Sequence, residues 1–137
     1  MLGAVEPKVS QVVAFAPPLD IAKFHGPDMT KALREGDESY ARFVDWASPG
    51  RHLKRQRAPL FLFVAEDDSV SSAADVISFA RRLGELGRYG TLDVVPTGDH
   101  YDAMVSTGIG HAIEWTRRCR SARPETCGTF LTGAASR

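Results

Sequence analysis

Apolar residues in this chain fall into short continuous runs, separated by longer stretches in which they recur at helical spacing. Lys8 to Ala16 (KVSQVVAFA) is a Val-rich run closed by Pro17-Pro18. Both of its faces are apolar at the centre, which predicts a strand buried in a parallel sheet. Pro59 to Val64 (PLFLFV) is continuous, apolar and followed by a polar turn, so it reads as a second strand. Thr91 to Val95 (TLDVV), closed by Pro96, reads as a third. Between these runs the period lengthens. Asp37 to Trp46 sets Tyr40, Phe43, Val44 and Trp46 mostly at helical spacing, with Asp37 as N-cap and Ser48-Pro49-Gly50 as the stop. Ser71 to Leu86 gathers Val76, Phe79, Ala80, Leu83 and Leu86 on one face, and Gly87 and Gly90 end it. Asp102 to Arg120 carries Val105, Ile109, Ala112, Ile113 and Thr116 along one stripe, weakened by Gly108 and Gly110. Asp20 to Gly36 is interrupted by Gly26-Pro27 and reads as loop with a short helix.

This order predicts an α/β fold: a parallel sheet of about three strands with crossover helices. Residues 1–120 would form the folded unit, and residues 121–137, rich in Ser, Ala, Arg, Gly and Thr, a flexible tail. The first strand has nothing before it in these residues to pair with its other edge. A long apolar edge is normally covered, so the pattern alone leaves the sheet unfinished on that side.

Composition narrows the function classes. The 137 residues suit one domain, and 43% hydrophobic content supplies a core. Charge balances at 17 basic against 17 acidic residues, without the excess that nucleic acid or a membrane surface would favour. The basic runs Arg51, His52, Lys54, Arg55, Arg57 and Arg117, Arg118, Arg120, Arg123 read as solvated surface. Phe24, Tyr40, Phe43 and Trp46 read as core, with a substrate-lining role as the alternative. Cys119 and Cys127 match no metal-ligand pattern, and a disulfide between them is not decidable from spacing. No metal or organic cofactor is implied. There is no signal-like N-terminus and no run near the ~18 apolar residues of a membrane span, so the expectation is a cytoplasmic protein.

In parallel α/β sheets chemistry sits on loops at the carboxyl ends of strands. Two such loops carry it here: Ala65-Glu66-Asp67-Asp68 and Thr97-Gly98-Asp99-His100. A carboxylate beside a histidine fixes the imidazole tautomer and stabilises the imidazolium formed in general-base catalysis. The structural alternative is that the Asp cluster caps the next helix and the His is an ordinary surface residue.

Several stretches in order resemble the α/β-hydrolase superfamily, most closely its prolyl oligopeptidase and dienelactone hydrolase branch. They are Pro59 to Asp68, Phe79-Ala80-Arg81-Arg82-Leu83-Gly84-Glu85-Leu86-Gly87, Gly98-Asp99-His100, and Gly108-Ile109 with Ala112-Ile113-Glu114-Trp115. Val12 to Asp20 resembles the strand after the nucleophile helix, and Ser48-Pro49 the approach to the acid strand. Ala65 stands where that branch usually has Gly, and Ser72 where Pro is common. The resemblance spans about residues 8–118 and implies the C-terminal half of an α/β-hydrolase fold. It implies Asp68 as triad acid and His100 as base, with Asp67 as the fallback acid and Asp99 structural. The nucleophile of such enzymes lies in Gly-x-Ser-x-Gly and precedes the acid and base. No such motif precedes Val9; Trp46 to Gly50 and Met104 to Gly108 each lack the first Gly.

Three readings follow. The first is the C-terminal part of a serine hydrolase acting on peptide or ester bonds, inactive by itself and taking a small-molecule or peptide substrate once an N-terminal half completes it. The second is a non-catalytic α/β module that associates through its open sheet edge, for example as a homodimer. The third, a flavodoxin-like binding domain, lacks a Gly-rich phosphate loop.

Overall fold

The structure is a computed structural model, and it describes residues 2–119 and 123–130. Its centre is β2 (Leu60–Ala65), buried along its whole length. β1 (Val12–Phe15) and β3 (Gly90–Val95) flank it, both parallel to it, in the order β1-β2-β3. The registers run from Val12 opposite Leu60 and from Leu60 opposite Gly90, so the carboxyl ends of all three strands lie together.

Alternation along β2 builds two core layers. Leu60, Leu62 and Val64 face α4 (Ala73–Glu85), meeting Val76, Phe79, Ala80 and Leu83. Phe61, Phe63 and Ala65 face the other layer, with Ala103, Ala112 and Trp115. That layer is one continuous helical run: α5 (Asp99–Ala103), a π turn at Met104–Gly108, then α6 (Ile109–Arg118). Ser72 caps α4 by accepting from the Asp75 amide at 3.2 Å. The connection from β1 to β2 holds α2 (Ile21–Gly36), α3 (Glu38–Ala47) and a 3-10 segment at Pro49–Arg55. A further short helix, α1 (Leu2–Val5), precedes β1. Asp37 caps α3 as expected, accepting from the Ser39 amide at 2.7 Å.

The structure corrects several expectations. The first strand is shorter than Lys8 to Ala16 and lies at the sheet edge, with Val13 exposed rather than buried. Residues 21–36 are helical, not mainly loop. Gly26 breaks the helix at φ 80°, and Pro27 restarts it where a missing N–H costs nothing. Phe24, Tyr40, Phe43 and Trp46 are 46, 38, 55 and 48% exposed, so none is a core residue.

The long C-terminal helix turns a different face inward. Gly108, Ala112 and Trp115 face the sheet, while Val105, Ile109 and Ile113 are exposed. The rings of Phe15 and Phe63 press so close that a Cβ at residue 108 would lie about 3.0 Å from them. Glycine is therefore required at position 108, while Trp115 fills the space against Phe61 further along the helix.

Residues 123–130 are not the tail expected from position 121. Cys119 and Cys127 form a disulfide, both buried. The Trp115 indole N–H donates to the Cys127 carbonyl at 3.1 Å, and Tyr89 bridges Thr129. The remainder of that expected tail lies outside the described residues. No helix among the described residues is long and apolar enough to cross a membrane.

Candidate active site

The loops after β2 and β3 emerge side by side, because their strands are hydrogen-bonded neighbours. The Glu66 amide continues the ladder by donating to the Val95 carbonyl at 2.8 Å. The two loops are then tied by their own side chains. Asp67 accepts from the Gly98 amide at 3.2 Å and the Asp99 amide at 3.0 Å. Asp99 reaches back and accepts from the Ser69 amide at 2.9 Å and its hydroxyl at 2.8 Å. Those Ser69 bonds, amide first, with the His100 backbone N–H, hold the Asp99 carboxyl below its ordinary range.

Within this frame Asp68 and His100 meet. His100 Nδ1 lies 3.0 Å from Asp68 Oδ2 and 3.2 Å from Oδ1. A carboxylate only accepts, so the proton of that bond sits on Nδ1 and the lone pair of the neutral ring on Nε2. The Asp68 side chain is 1% exposed and that of His100 is 20% exposed. Asp68 also accepts from the Val70 amide at 2.8 Å and the Ser71 amide at 2.7 Å. Its carboxylate is thus fixed before it meets the imidazole, and three donors offset the cost of burying it. The ring of Tyr101 stands edge-on to His100, with centroids 4.8 Å apart.

Gly98 makes this turn feasible. Its φ is 123°, and an added Cβ would lie 2.8 Å from the Ala103 Cβ. Asp99, next in the chain, is held at φ 49°, a region that non-glycine residues seldom occupy. The backbone is strained where it presents His100, and the Asp67 and Ser69 contacts hold that strain.

Of the two carboxylates weighed from sequence, Asp68 is the one beside His100, and Asp67 is a loop tie. Ser71, which sequence reading passed over, locks the third loop to this corner. Its hydroxyl donates to the Ala16 carbonyl at 2.7 Å, at the carboxyl end of β1. Its only sequence signal was its position three residues after Asp68.

Among the described residues no hydroxyl or thiol hydrogen-bonds His100. Ser106 donates to the Asp102 carbonyl at 2.6 Å, and Ser48 to the Val44 carbonyl at 2.9 Å. Among the described residues no group of three or more His, Cys, Asp or Glu could hold a metal ion. A cleft of about 160 Å³ adjoins the acid loop, lined by Pro17, Leu19, Phe24, Val70 and Ser71 among others. A larger cavity of about 610 Å³ lies at the amino ends of the strands, beside Lys54, Arg57 and Arg88, away from His100.

The backbone arrangement matches solved structures. The acylaminoacyl peptidase of Pyrococcus horikoshii superposes with a TM-score of 0.64 at 14% identity, covering 85% of this chain and 21% of its own. The Pyrococcus furiosus esterase Pf2001 superposes in two crystal forms. In space group P21 the TM-score is 0.53 at 21% identity, covering 82% of this chain and 44% of that one. In P212121 it is 0.50 at 19% identity, covering 82% and 45%. The fold is that of part of an α/β-hydrolase. The chain spans about a fifth of the peptidase and less than half of the esterase. No family model and no curated protein matches the sequence.

Proposed function

We propose that this chain is the C-terminal part of a serine hydrolase of peptide or ester bonds, with Asp68 as triad acid and His100 as general base. The observation that carries this reading is the buried Asp68 carboxylate against His100 Nδ1 at 3.0 Å, which directs the basic Nε2 away from the acid. In such an enzyme Nε2 takes the proton of an attacking serine and returns it to the leaving amine or alkoxide. Asp68 holds the ring in the required tautomer and stabilises the imidazolium. The serine itself would come from a Gly-x-Ser-x-Gly elbow carried by another segment. The fold likeness to a peptidase and an esterase supports the bond class, and the fraction of those chains covered supports a partial domain.

The chain alone is expected to be inactive, since loss of the nucleophile typically removes about 10⁶ of kcat. A fluorophosphonate probe should leave it unlabelled, and stoichiometric labelling of any residue in it would overturn the reading. The second reading, a non-catalytic module joined through β1, is favoured by one observation: β1 has no strand on its outer side among the described residues.

A further inference from the structure

The basic run before β2 divides once it is folded. Arg51 pairs with Asp45, and buried His52 hydrogen-bonds the Trp46 carbonyl. Lys54, Arg55 and Arg57 stay exposed, and among the described residues none of them has a carboxylate within ion-pair distance. Arg88, in the turn between α4 and β3, is likewise without an ion pair among the described residues. All four line the cavity of about 610 Å³ at the amino ends of the strands. Its one acidic lining residue is Glu6, whose Oε1 accepts from the Lys8 amide at 2.9 Å. Four cations and one carboxylate thus meet in a chain whose 17 basic and 17 acidic residues balance. Charge of one sign around a concave surface focuses its potential into the cavity and attracts anions.

Arg88 gives the cavity a second mark. Its Nη2 donates to the Lys54 carbonyl at 2.6 Å, which ties the guanidinium to the basic segment. Its Nε is buried and, among the described residues, is the one buried side-chain nitrogen or oxygen without a hydrogen-bond partner. A buried N–H without an acceptor costs free energy, and folded proteins seldom leave one so. The guanidinium is a planar fork of donors suited to the paired oxygens of a carboxylate or phosphoryl group. Turning Arg88 onto an oxyanion in the cavity gives up one bond to Lys54 and supplies the acceptor that Nε lacks. The floor beneath it is firm. The Arg57 and Ala58 amides donate to the Gly3 carbonyl at 3.3 and 3.4 Å. A Cβ at residue 3 would lie 2.7 Å from both Gln56 Nε2 and Val12 Cγ2, so α1 sits tight on the basic segment.

We propose that this cavity binds a small anion carrying at least two phosphoryl groups, with Arg88 and Arg57 as its main contacts. Charge selects the ligand class. Four cations less one carboxylate leave an excess that a single carboxylate does not balance, whereas each phosphate monoester carries about −1.5 to −2 at neutral pH. Size selects a small molecule, since the volume falls within the roughly 300 to 1,000 Å³ of ligand sites. The cavity lies at the opposite end of the strands from His100, so the proposal stands independently of the hydrolase reading.

The test is isothermal titration calorimetry of the full chain at low ionic strength, with inorganic pyrophosphate as the probe. The expected result is saturable one-to-one binding, at least about tenfold tighter than that of inorganic phosphate. Arg88→Gln and Arg57→Gln should each weaken it at least about tenfold. Arg117→Gln removes the same charge from an exposed site on α6 outside the cavity and should change it less than about twofold. Circular dichroism confirms that the variants fold, and Arg57→Gln alters an exposed side chain, so it keeps the test open if Arg88→Gln does not fold. Nitrogen-15 NMR should show the Arg88 Nε–H resonance shifting as pyrophosphate saturates.

Absence of saturable binding would overturn the site. So would an equal loss in Arg117→Gln, which would mean a general attraction of anions to the surface, or an Arg88 Nε–H resonance unmoved at saturation. Tighter binding of a poly-aspartate peptide than of pyrophosphate would overturn the phosphoryl assignment.

Discussion

The β2–β3 side of this molecule and its β1 side are built to different standards of completion. On the first, the strand ends are cross-tied by Asp67, Asp99 and Ser69, and Asp68 is buried against His100 with every oxygen engaged. On the second, an apolar strand edge and an apolar helix flank meet solvent. The same helix serves both, burying Trp115 between Phe61 and Cys127 while exposing Ile109 and Ile113. The difference teaches that the Asp68–His100 pair can be fully organised by local bonding while the β1 edge beside it has no strand partner among the described residues.

The contrast is broken most strongly by chemistry. In a reconstituted enzyme His100→Ala should lower kcat by about 10⁴ to 10⁶, and Asp68→Ala by about 10⁴, whereas Asp67→Asn should act mainly on stability. Steady-state kinetics with an activated ester decides this, and an equal loss for Asp67→Asn would move the acid role to it. Stability sharpens the same contrast in the chain alone. Trp115→Ala should cost about 3 to 5 kcal/mol, while Ile113→Ala should stay within about 0.5 kcal/mol, both read by urea denaturation. A large cost for Ile113→Ala would mean that the exposed flank is already packed.

Sequence made the β2–β3 side legible and the β1 side less so. β2, α4 and β3 stood out because continuous apolar runs and a five-residue helical face leave one reading. The Asp cluster and His100 stood out because strand ends in a parallel sheet collect chemistry, and the resemblance to the α/β-hydrolases is what preferred Asp68 to Asp67. α2 was hidden because Gly26-Pro27 looks like a loop, yet Pro27 is tolerated at the start of its second segment. The α6 stripe was assigned to the core because hydrophobicity, not bulk, set the expectation. The π turn at Met104–Gly108 and the rings of Phe15 and Phe63 instead bring Gly108 inward, with Ala112 and Trp115 on the same face. The staple at 123–130 depends on Trp115 and the disulfide, contacts that no periodicity encodes.

Smaller effects refine the picture. Reducing the Cys119–Cys127 disulfide, whose cysteines are 8 positions apart, should cost about 2 to 3 kcal/mol by loop closure. A denaturation midpoint unchanged by reductant would show that Trp115 packing alone holds this segment. Gly98→Ala should cost about 1 to 3 kcal/mol, from its left-handed φ and the contact with Ala103. It should also displace His100, visible as a shifted imidazole resonance. The smallest effect is the Asp99 tie. Its folded pKa is depressed, so its stabilisation is complete above the unfolded carboxylate range and is lost as pH falls through the lower folded value. An NMR titration of Asp99 with its midpoint at or above the ordinary carboxylate value would contradict this.

Nitrogen-15 NMR of His100 in the isolated chain tests the organised acid–base pair most directly, because it needs no partner. The neutral ring should carry its proton on Nδ1, with Nε2 unprotonated, and Asp68→Asn should abolish that preference while Asp67→Asn preserves it. A proton on Nε2 in the unaltered chain, or a tautomer indifferent to Asp68→Asn, would contradict the assignment of Asp68 as the residue that makes His100 a base.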